Sequence, residues 1–367
     1  MPVPGTGTDG PHGRTERVTG PDHDPYRQVT IAFIAERAGV SVPTVSKVIN
    51  GRAGVGAGTR ARVESLITEY GYRRPENASR AEIMELVMGD LESLWGLEII
   101  RGVEQAARAH HVGVVVSDFD QRPPELRGGT RGWMEDALAR RPQCVVSVAQ
   151  LSRAQRDQLT ARGIPFVVFD LAADLPDDAP YVGATNWMGG RSATRHLLEL
   201  GHRRIAMIAG PDRLLCCRAR FDGYRAALDA SNILPDADLV VRADLNHDGG
   251  WRAAGLLLDR PARPTALFAA NDVLALGAYR AARERGLRIP EDLSVVGFDD
   301  LPVVSWIDPP LTTVHQPLVE MAAAATELAL ALGRGDTPAQ TRLEIATTLT
   351  VRRSTGPPYA AGGASSV

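Results

Sequence analysis

The sequence predicts a small all-α head followed by a larger α/β body of two lobes, each built on a parallel, doubly wound sheet. Three observations predict it. Two short amphipathic helical runs meet at a glycine near residue 39, and a third follows. From Ile83 onward, apolar strand-like runs alternate with helical stretches, the order expected when helices cover both faces of a parallel sheet. The alternation also contains a weak internal repeat, and two copies of one half-domain imply two similar lobes with a cleft between them.

Residues 29–72 form the head. Ile31, Ile34, Ala35 and Ala38 recur at helical spacing, as do Val45, Val48 and Ile49. Thr30 and Ser41 stand where N-caps belong, and Gly51 where a C′ glycine belongs. Gly39 permits the sharp turn between the two runs, because a left-handed position penalises a Cβ. A third helix is expected from Thr59 as its cap, with Val63, Leu66, Ile67 and Tyr70 inward. This is a helix-turn-helix with a supporting helix. Gly54 to Thr59 looks like a phosphate-cradling glycine loop, but it follows a helix and lacks the lysine, so it reads as an inter-helix turn.

Charge is distributed unevenly. The chain has 367 residues and a net charge of −3, yet Val29 to Arg80 holds eight basic and four acidic residues. A head of +4 therefore sits on a remainder of −7, which suits phosphate binding confined to one end. Cys144, Cys216 and Cys217 make no disulfide framework, and Cys216-Cys217 reads as packing in a loop or at a helix start. His110-His111 and the Asp118–Asp120 stretch lack ligand spacing, so neither metal nor cofactor is expected. No apolar stretch approaches the roughly 20 residues that span a bilayer. Residues 1–28 lack the apolar core of a secretory signal and read as a disordered extension, which places the protein in the cytoplasm. Residues 73–82 have linker composition.

In the body, strands are expected at Leu86–Met88, Val112–Val116, Cys144–Val148, Phe166–Phe169, Arg204–Ala209, Leu239–Val241, Ala266–Ala270 and Leu293–Gly297. Helices fall between them, with one expected from Asp222 to Ala230 and a last one from Leu318 to Leu332. Leu86-Val87-Met88 and the helical run after it are echoed from Ile205, and Gly163 to Asp170 is echoed by Leu293 to Asp300. In such sheets ligands bind beyond the carboxyl ends of the strands. Asp170, Asn271-Asp272 and Asp299 end strands, and Arg220 lies in the loop or helix start after another. Trp95 follows the first strand and could offer an aromatic face to a ligand; Trp187 and Trp306 are weaker candidates. Asp272 reads as the N-cap of the helix behind it more readily than as a ligand contact. No nucleophile–base pair, phosphate-loop motif or zinc spacing appears, so an enzyme is not expected.

At Ala35 to Asn50, the string A-x-x-A-G-V-S-x-x-T-V-S-x-V-I-N, and at Thr59 to Val63, T-R-x-x-V, the sequence resembles the lac/gal repressor family. The likeness extends from Val29 to about Ser354 and implies a periplasmic-binding-protein-like body. It implies a homodimeric transcriptional regulator, expected to be a repressor, on double-stranded operator DNA, controlled by a small-molecule effector such as a mono- or oligosaccharide. Carried over by position, Val42, Pro43 and Lys47 would read bases, and Lys47 can donate to guanine. Thr30, Ser41, Thr44, Ser46, Asn50, Thr59 and Arg60 would contact phosphate or backbone. Arg220, Asn271 and Asp299 would bond effector hydroxyls, with Asp170 and Trp95 beside them.

Two departures stand out. Phe33 replaces the usual aspartate and is expected to pack against the body or the mate, and Ala81 occupies the hinge position of a leucine wedge, with Ile83 the nearest larger apolar residue. The lobes are expected at residues 83–188 with 316–342 and at 189–315 with 343–355, followed by a disordered tail at 356–367. A solute-binding protein, a sugar-processing enzyme and a regulator responding to a non-sugar metabolite are the alternatives.

Overall fold

The computed structural model describes residues 30–49, 54–70, 82–119, 132–170, 175–176 and 178–359. Contacts divide the chain after residue 79 into two units.

The head is three helices: α1 (Ile31–Ala38), α2 (Val42–Ile49) and α3 (Ala57–Glu69). Thr30 caps α1, its hydroxyl accepting from the Phe33 amide at 3.2 Å. Gly39 closes α1 with φ +67°, the left-handed value that a Cβ disfavours. Ile34, Ala35, Ala38, Val45, Val48 and Val63 form the buried core, with Leu66, Ile67 and Tyr70 packed against it. Two expectations change. The third helix begins two residues before Thr59, with Gly56 at its cap position and no side-chain cap, so Thr59 is inside the first turn. Phe33 packs within the head: its ring meets Tyr70 edge-on at 5.2 Å, with the Arg37 guanidinium over both rings. Gly51 lies outside the described residues.

The body holds two six-stranded sheets. The first comprises β1 (Ile83–Met88), β2 (Gly113–Asp118), β3 (Val145–Ser147), β4 (Phe166–Phe169), β5 (Tyr181–Ala184) and β11 (Arg342–Ile345), in the order β11-β5-β4-β3-β1-β2 and all parallel. The second comprises β6 (Ile205–Ala209), β7 (Val240–Arg242), β8 (Ala266–Ala269), β9 (Ser294–Asp299), β10 (Thr312–His315) and β12 (Thr348–Thr350). Its order is β12-β10-β9-β8-β6-β7, parallel except that β12 runs antiparallel to β10. The two orders superimpose position by position, so the sequence echo of β1 in β6 and of β4 in β9 is a structural repeat.

Helices α4 (Leu94–Ala109), α5 (Trp133–Arg140) and α6 (Arg153–Ala161) belong to the first lobe. The second carries α7 (Asn186–Glu199), α8 (Leu215–Ala230), α9 (His247–Leu258) and α10 (Asp272–Glu284); α11 (Leu318–Arg334) returns to the first and packs on α4. Each sheet is covered on both faces, and the apolar cores lie between sheet and helices. Three of the chain's passages join the lobes. The first falls at Thr185, because the whole of α7 packs on α8; the expected boundary at residue 188 lies inside that helix. The second is at Gln316. The third lies between Ile345 and Thr348, since β11 is an edge strand of the first sheet, so the expected boundary at 342/343 moves. Ile83, the candidate wedge, is the first residue of β1 and pairs with Gly113; Ala81 lies outside the described residues. Gly356 is tied to the second lobe, its amide donating to Ser294 Oγ at 3.0 Å, so the ordered chain runs past the expected tail boundary.

A candidate DNA-reading helix and an effector cleft

In the head, α2 buries Val45 and Val48 and turns Val42, Pro43 and Lys47 outward, together with Ser41 just before it. The Ser41 hydroxyl lies 2.9 Å from the Thr44 hydroxyl, and the Ser41 carbonyl accepts from the Val45 amide at 3.2 Å. Ser46, Thr59 and Arg60 are half-buried, Thr30 is exposed, and Asn50 is outside the described residues. One face of a short helix is therefore committed to the core, and the opposite face presents a lysine beside two apolar residues. That is the layout for entering a major groove.

In the body, the carboxyl ends of both sheets converge on one buried side chain. Arg220 sits in the second turn of α8, a helix that starts seven residues earlier than its sequence suggests. No capping residue precedes Leu215, so the start carries no local signal. Cys216 and Cys217 fill that first turn and are buried. The helix lies hard against α7: a Cβ at Gly190 would come within 2.2 Å of the Arg220 carbonyl, and one at Gly223 within 2.2 Å of the Trp187 carbonyl. Only glycine permits this approach, which drives the arginine under the crossover. Its guanidinium then stacks on Phe298, 3.6 Å from the ring centroid.

Arg220 donates from Nε to Asn186 Oδ1 at 2.8 Å, from one terminal nitrogen to the Ala270 carbonyl at 2.7 Å and Asp299 Oδ1 at 3.5 Å, and from the other to Gln316 Oε1 at 3.2 Å. The two amides pass the connection across the lobes. Asn186 Nδ2 donates to Asp170 Oδ1 at 3.1 Å, and Gln316 Nε2 to Asp170 Oδ2 at 2.8 Å. Asp170 also accepts from the Ala184 amide at 3.2 Å. Thus Asp170, at the end of β4, and Arg220 are held apart and joined by two amide bridges, each on a passage between the lobes. At the third passage Thr185 and Thr347 bond reciprocally: Thr185 Oγ1 accepts from the Thr347 amide at 2.9 Å, and Thr347 Oγ1 donates to the Thr185 carbonyl at 3.3 Å.

The cluster carries two carboxylates for one guanidinium, all more than nine-tenths buried. Burial pushes the Asp299 carboxyl up to about 7, against the pull of Arg220 and with the help of Asp170. Burial likewise raises Asp170, opposed by Arg220 and by the Gln316 and Asn186 donors. Burial works against the Arg220 charge, but Asp299 and its other neighbours hold the guanidinium's pKa above its ordinary value. Asp170 and Asp299 both end strands on a Phe-Asp dipeptide, and both take left-handed backbones, φ +48° and +111°. Such backbone strain in a non-glycine residue is characteristic of binding sites.

The sequence-predicted cleft residues are brought together unequally. Asp170, Arg220 and Asp299 belong to one network, Arg220 meeting Asp299 directly and Asp170 through the two amides. Asn271 follows Ala270 and caps α10, its Oδ1 accepting from the Leu274 amide at 2.8 Å, which leaves its amide N–H groups outside the cap. Asp272 is therefore not the cap: it turns inward, accepting from Thr313 Oγ1 at 2.6 Å and the Leu301 amide at 2.8 Å, and burial raises its pKa. Trp95 is half-buried in the first turn of α4, edge-on to Phe169 at 5.9 Å, and so stands beside the Asp170 strand end. Trp306 lies apart, directly after a short 3-10 helix at Pro302–Ser305, and is 77% exposed. Sequence reasoning missed Asn186 and Gln316. Their signal was slight: an amide two residues past the short strand β5, and an amide between the short strand β10 and Pro317.

Among the described residues, no group of three or more His, Cys, Asp or Glu could hold a metal, and no helix is long and apolar enough to cross a membrane. A basic helix-turn-helix head and a hinged two-lobed body with a buried polar cluster at the hinge define a ligand-controlled DNA-binding regulator. Residues 30–75 match the model of bacterial regulatory proteins of the lacI family, and residues 194–355 that of a periplasmic binding protein-like domain. The transcriptional regulator CelR of Thermobifida fusca is 35% identical over 89% of this chain and 98% of its own. A solved CelR–cellobiose complex is 33% identical with a TM-score of 0.69, covering 89% of this chain and 99% of that one. The lac repressor dimer bound to operator and an anti-inducer is 29% identical with a TM-score of 0.65, covering 90% and 100%. The chain belongs to the lacI family of bacterial transcriptional regulators. It binds DNA through its helix-turn-helix and is not an enzyme.

Proposed function

We propose that this regulator is a cytoplasmic homodimeric repressor whose operator affinity is set by a neutral sugar bound at the Arg220 cluster. The observation that carries the reading is the cluster itself: Asp170, Arg220 and Asp299 face one another where both sheets end, linked through amides that stand on the passages between the lobes. Sugar hydroxyls both donate and accept, so they can take over the roles of Asn186 and Gln316, with carboxylates accepting and the guanidinium donating. Asn271 adds a donor from α10, and Trp95 an aromatic face beside β4. Because the bridging amides sit on the passages, replacing their bonds changes the balance between lobe arrangements. The response equals the difference in ligand affinity between those arrangements. The solved complex of the CelR relative with cellobiose supports a sugar, and the lac repressor dimer on operator supports a pair of heads on a two-fold site.

On the DNA side, Lys47 donates to a guanine edge while Val42 and Pro43 make apolar contact. Ser41, Thr44, Ser46, Asn50, Thr59, Arg60 and Thr30 set register on the backbone. Fluorescence anisotropy with DNA from the upstream region of the protein's own coding sequence tests this. Lys47→Ala is expected to weaken specific binding by roughly 10- to 100-fold while a sugar-induced thermal shift of the body stays unchanged. Loss of both together would refute the assignment of the reader.

A further inference from the structure

Cys216 and Cys217 are the second and third residues of α8, the helix that carries Arg220, and both are buried. No side chain caps this helix start, so the amides of its first turn have no side-chain acceptor and lie beside the two thiols. Arg220 stands three residues after Cys217 and four after Cys216, the spacings that share one helix face. A helix N-terminus and a nearby guanidinium both favour a thiolate over a thiol. The two sulfurs are hydrogen-bonded to one another, which pulls the Cys217 thiol below its ordinary value and pushes Cys216 well above its own. Burial raises both, and Arg220 draws both down. The pair is therefore unequal, with Cys217 the nucleophile and Cys216 the proton-bearing neighbour.

A cavity of about 580 Å3 opens beside this turn, walled by Tyr181, Trp187, Ala219 and Cys216 itself. Its Trp187 wall is 41% exposed, so a solute the size of water reaches the Cys216 side of the pair. Cys217 packs toward the sheet, against Gly210 just past β6, where a Cβ would come within 2.4 Å of its sulfur. Cys144, the third cysteine, is buried beside β3 in the other lobe. Adjacent Cα atoms lie about 3.8 Å apart, closer than the roughly 4.4–6.8 Å across ordinary disulfides. A bond between these two sulfurs therefore requires the first turn of α8 to leave its helical form. Arg220 is one turn further on, so it loses its seat with them. Strain of that kind makes a disulfide easy to reduce, as regulatory ones are.

We propose that Cys216 and Cys217 form a peroxide-reactive dithiol that closes to a vicinal disulfide and unseats Arg220, an oxidative input at the effector cleft. The proposal does not depend on what the effector is. The Cys217 thiolate attacks one oxygen of hydrogen peroxide and the O–O bond breaks. The other oxygen leaves as hydroxide and takes up the proton Cys217 had released, and a sulfenic acid remains. The Cys216 sulfur then attacks the sulfenic sulfur, the S–O bond breaks, and the hydroxide leaves as water with the Cys216 proton. The thiols give up two electrons, and one peroxide becomes two waters.

Treatment of the full-length protein with hydrogen peroxide, then alkylation in denaturant and tryptic digestion, tests it. Cleavage after Arg213 and Arg218 releases both sulfurs in one peptide, Leu214 to Arg218, apart from Cys144. That peptide is expected to emerge two hydrogens lighter and unalkylated, about tenfold or more faster than Cys144 is oxidised. Dithiothreitol is expected to restore it. The unfolding midpoint of the body is expected to drop by roughly 5 °C or more on oxidation and to recover on reduction. A protein carrying Cys216→Ser and Cys217→Ser is expected to show neither change, and reversal by dithiothreitol serves as the control where that variant does not fold. Both thiols surviving in the folded protein under conditions that oxidise the unfolded chain would overturn the proposal. So would sulfinic acid on one sulfur, or disulfide-linked dimers, as the product. A vicinal disulfide that leaves the midpoint in place would overturn the link to Arg220.

Discussion

The head keeps its candidate contact residues on the surface, whereas the cleft keeps its own buried and bonded to one another. Lys47 and Pro43 are exposed on a helix whose other face fills a small core, and both faces come from one run of eight residues. Arg220, Asp170, Asp299, Asn186 and Gln316 come from five separate segments and hydrogen-bond to one another. The difference follows from the partners. A DNA duplex is large, charged and always presented from outside, so an exposed side chain can meet it. A small neutral ligand must be enclosed, and groups enclosed without it need substitutes, since an unpaired buried charge is costly.

The largest expected effect separates the two regions by stability. Arg220→Ala leaves Asp170 and Asp299 buried without their counter-charge, and the body is expected to lose roughly 3–5 kcal/mol along with its effector response. Thermal unfolding followed by calorimetry reads the loss, and an unchanged body transition would mean that the cluster is solvated and the contrast with the head is false.

The second effect is a pH dependence confined to the body. Asp299 has its carboxyl raised to about 7 by burial, so the folded state binds a proton more tightly than the unfolded chain. Its stabilising contribution is complete below the ordinary carboxylate range and is lost as pH rises through about 7. His196 and His202, whose pKa values burial lowers, act in the opposite direction, so the reference is Asp299→Asn, which keeps both. Measured against that variant, the body is expected to lose stability between pH 5 and pH 8 by up to a few kcal/mol. Profiles of the two proteins that run parallel over this interval would contradict the buried, proton-holding cluster.

The smallest effect belongs to the head. Gly39→Ala places a Cβ at φ +67° and is expected to cost about 1–2 kcal/mol, lowering operator affinity through the folded fraction of the head while sugar binding is untouched. A matching loss in effector affinity would couple two regions that otherwise respond separately.

Most of the head was legible because its interactions are local. The Thr30 cap, the Gly39 turn and the spacing of Ile34, Val45 and Val63 all lie within a few residues of what they act on. The Phe33 placement was not: only the fold shows that Tyr70, at the far end of the third helix, offers it an edge. In the body, the buried strands announced themselves as apolar runs, but β5, β10, β11 and β12 are three or four residues long and β11 and β12 are half-exposed edges, so their composition resembles that of loops. The Phe-Asp strand ends were readable twice over because the half-domain repeats. Asn271 and Asp272 show the limit: both follow the same strand, and only the packing of Thr313 and Leu301 decides which one caps and which turns inward.

By itself, then, the sequence determined the head, the two-lobed body and the family of side chains at the cleft, because periodicity, caps and strand ends are encoded between near neighbours. Only the tertiary structure decided that Asn186 and Gln316 bridge Asp170 to Arg220, and that Trp187 faces an open cavity. Those contacts join residues up to 146 positions apart, and such pairings arise from the crossing of helices and the closure of lobes, for which no local pattern exists.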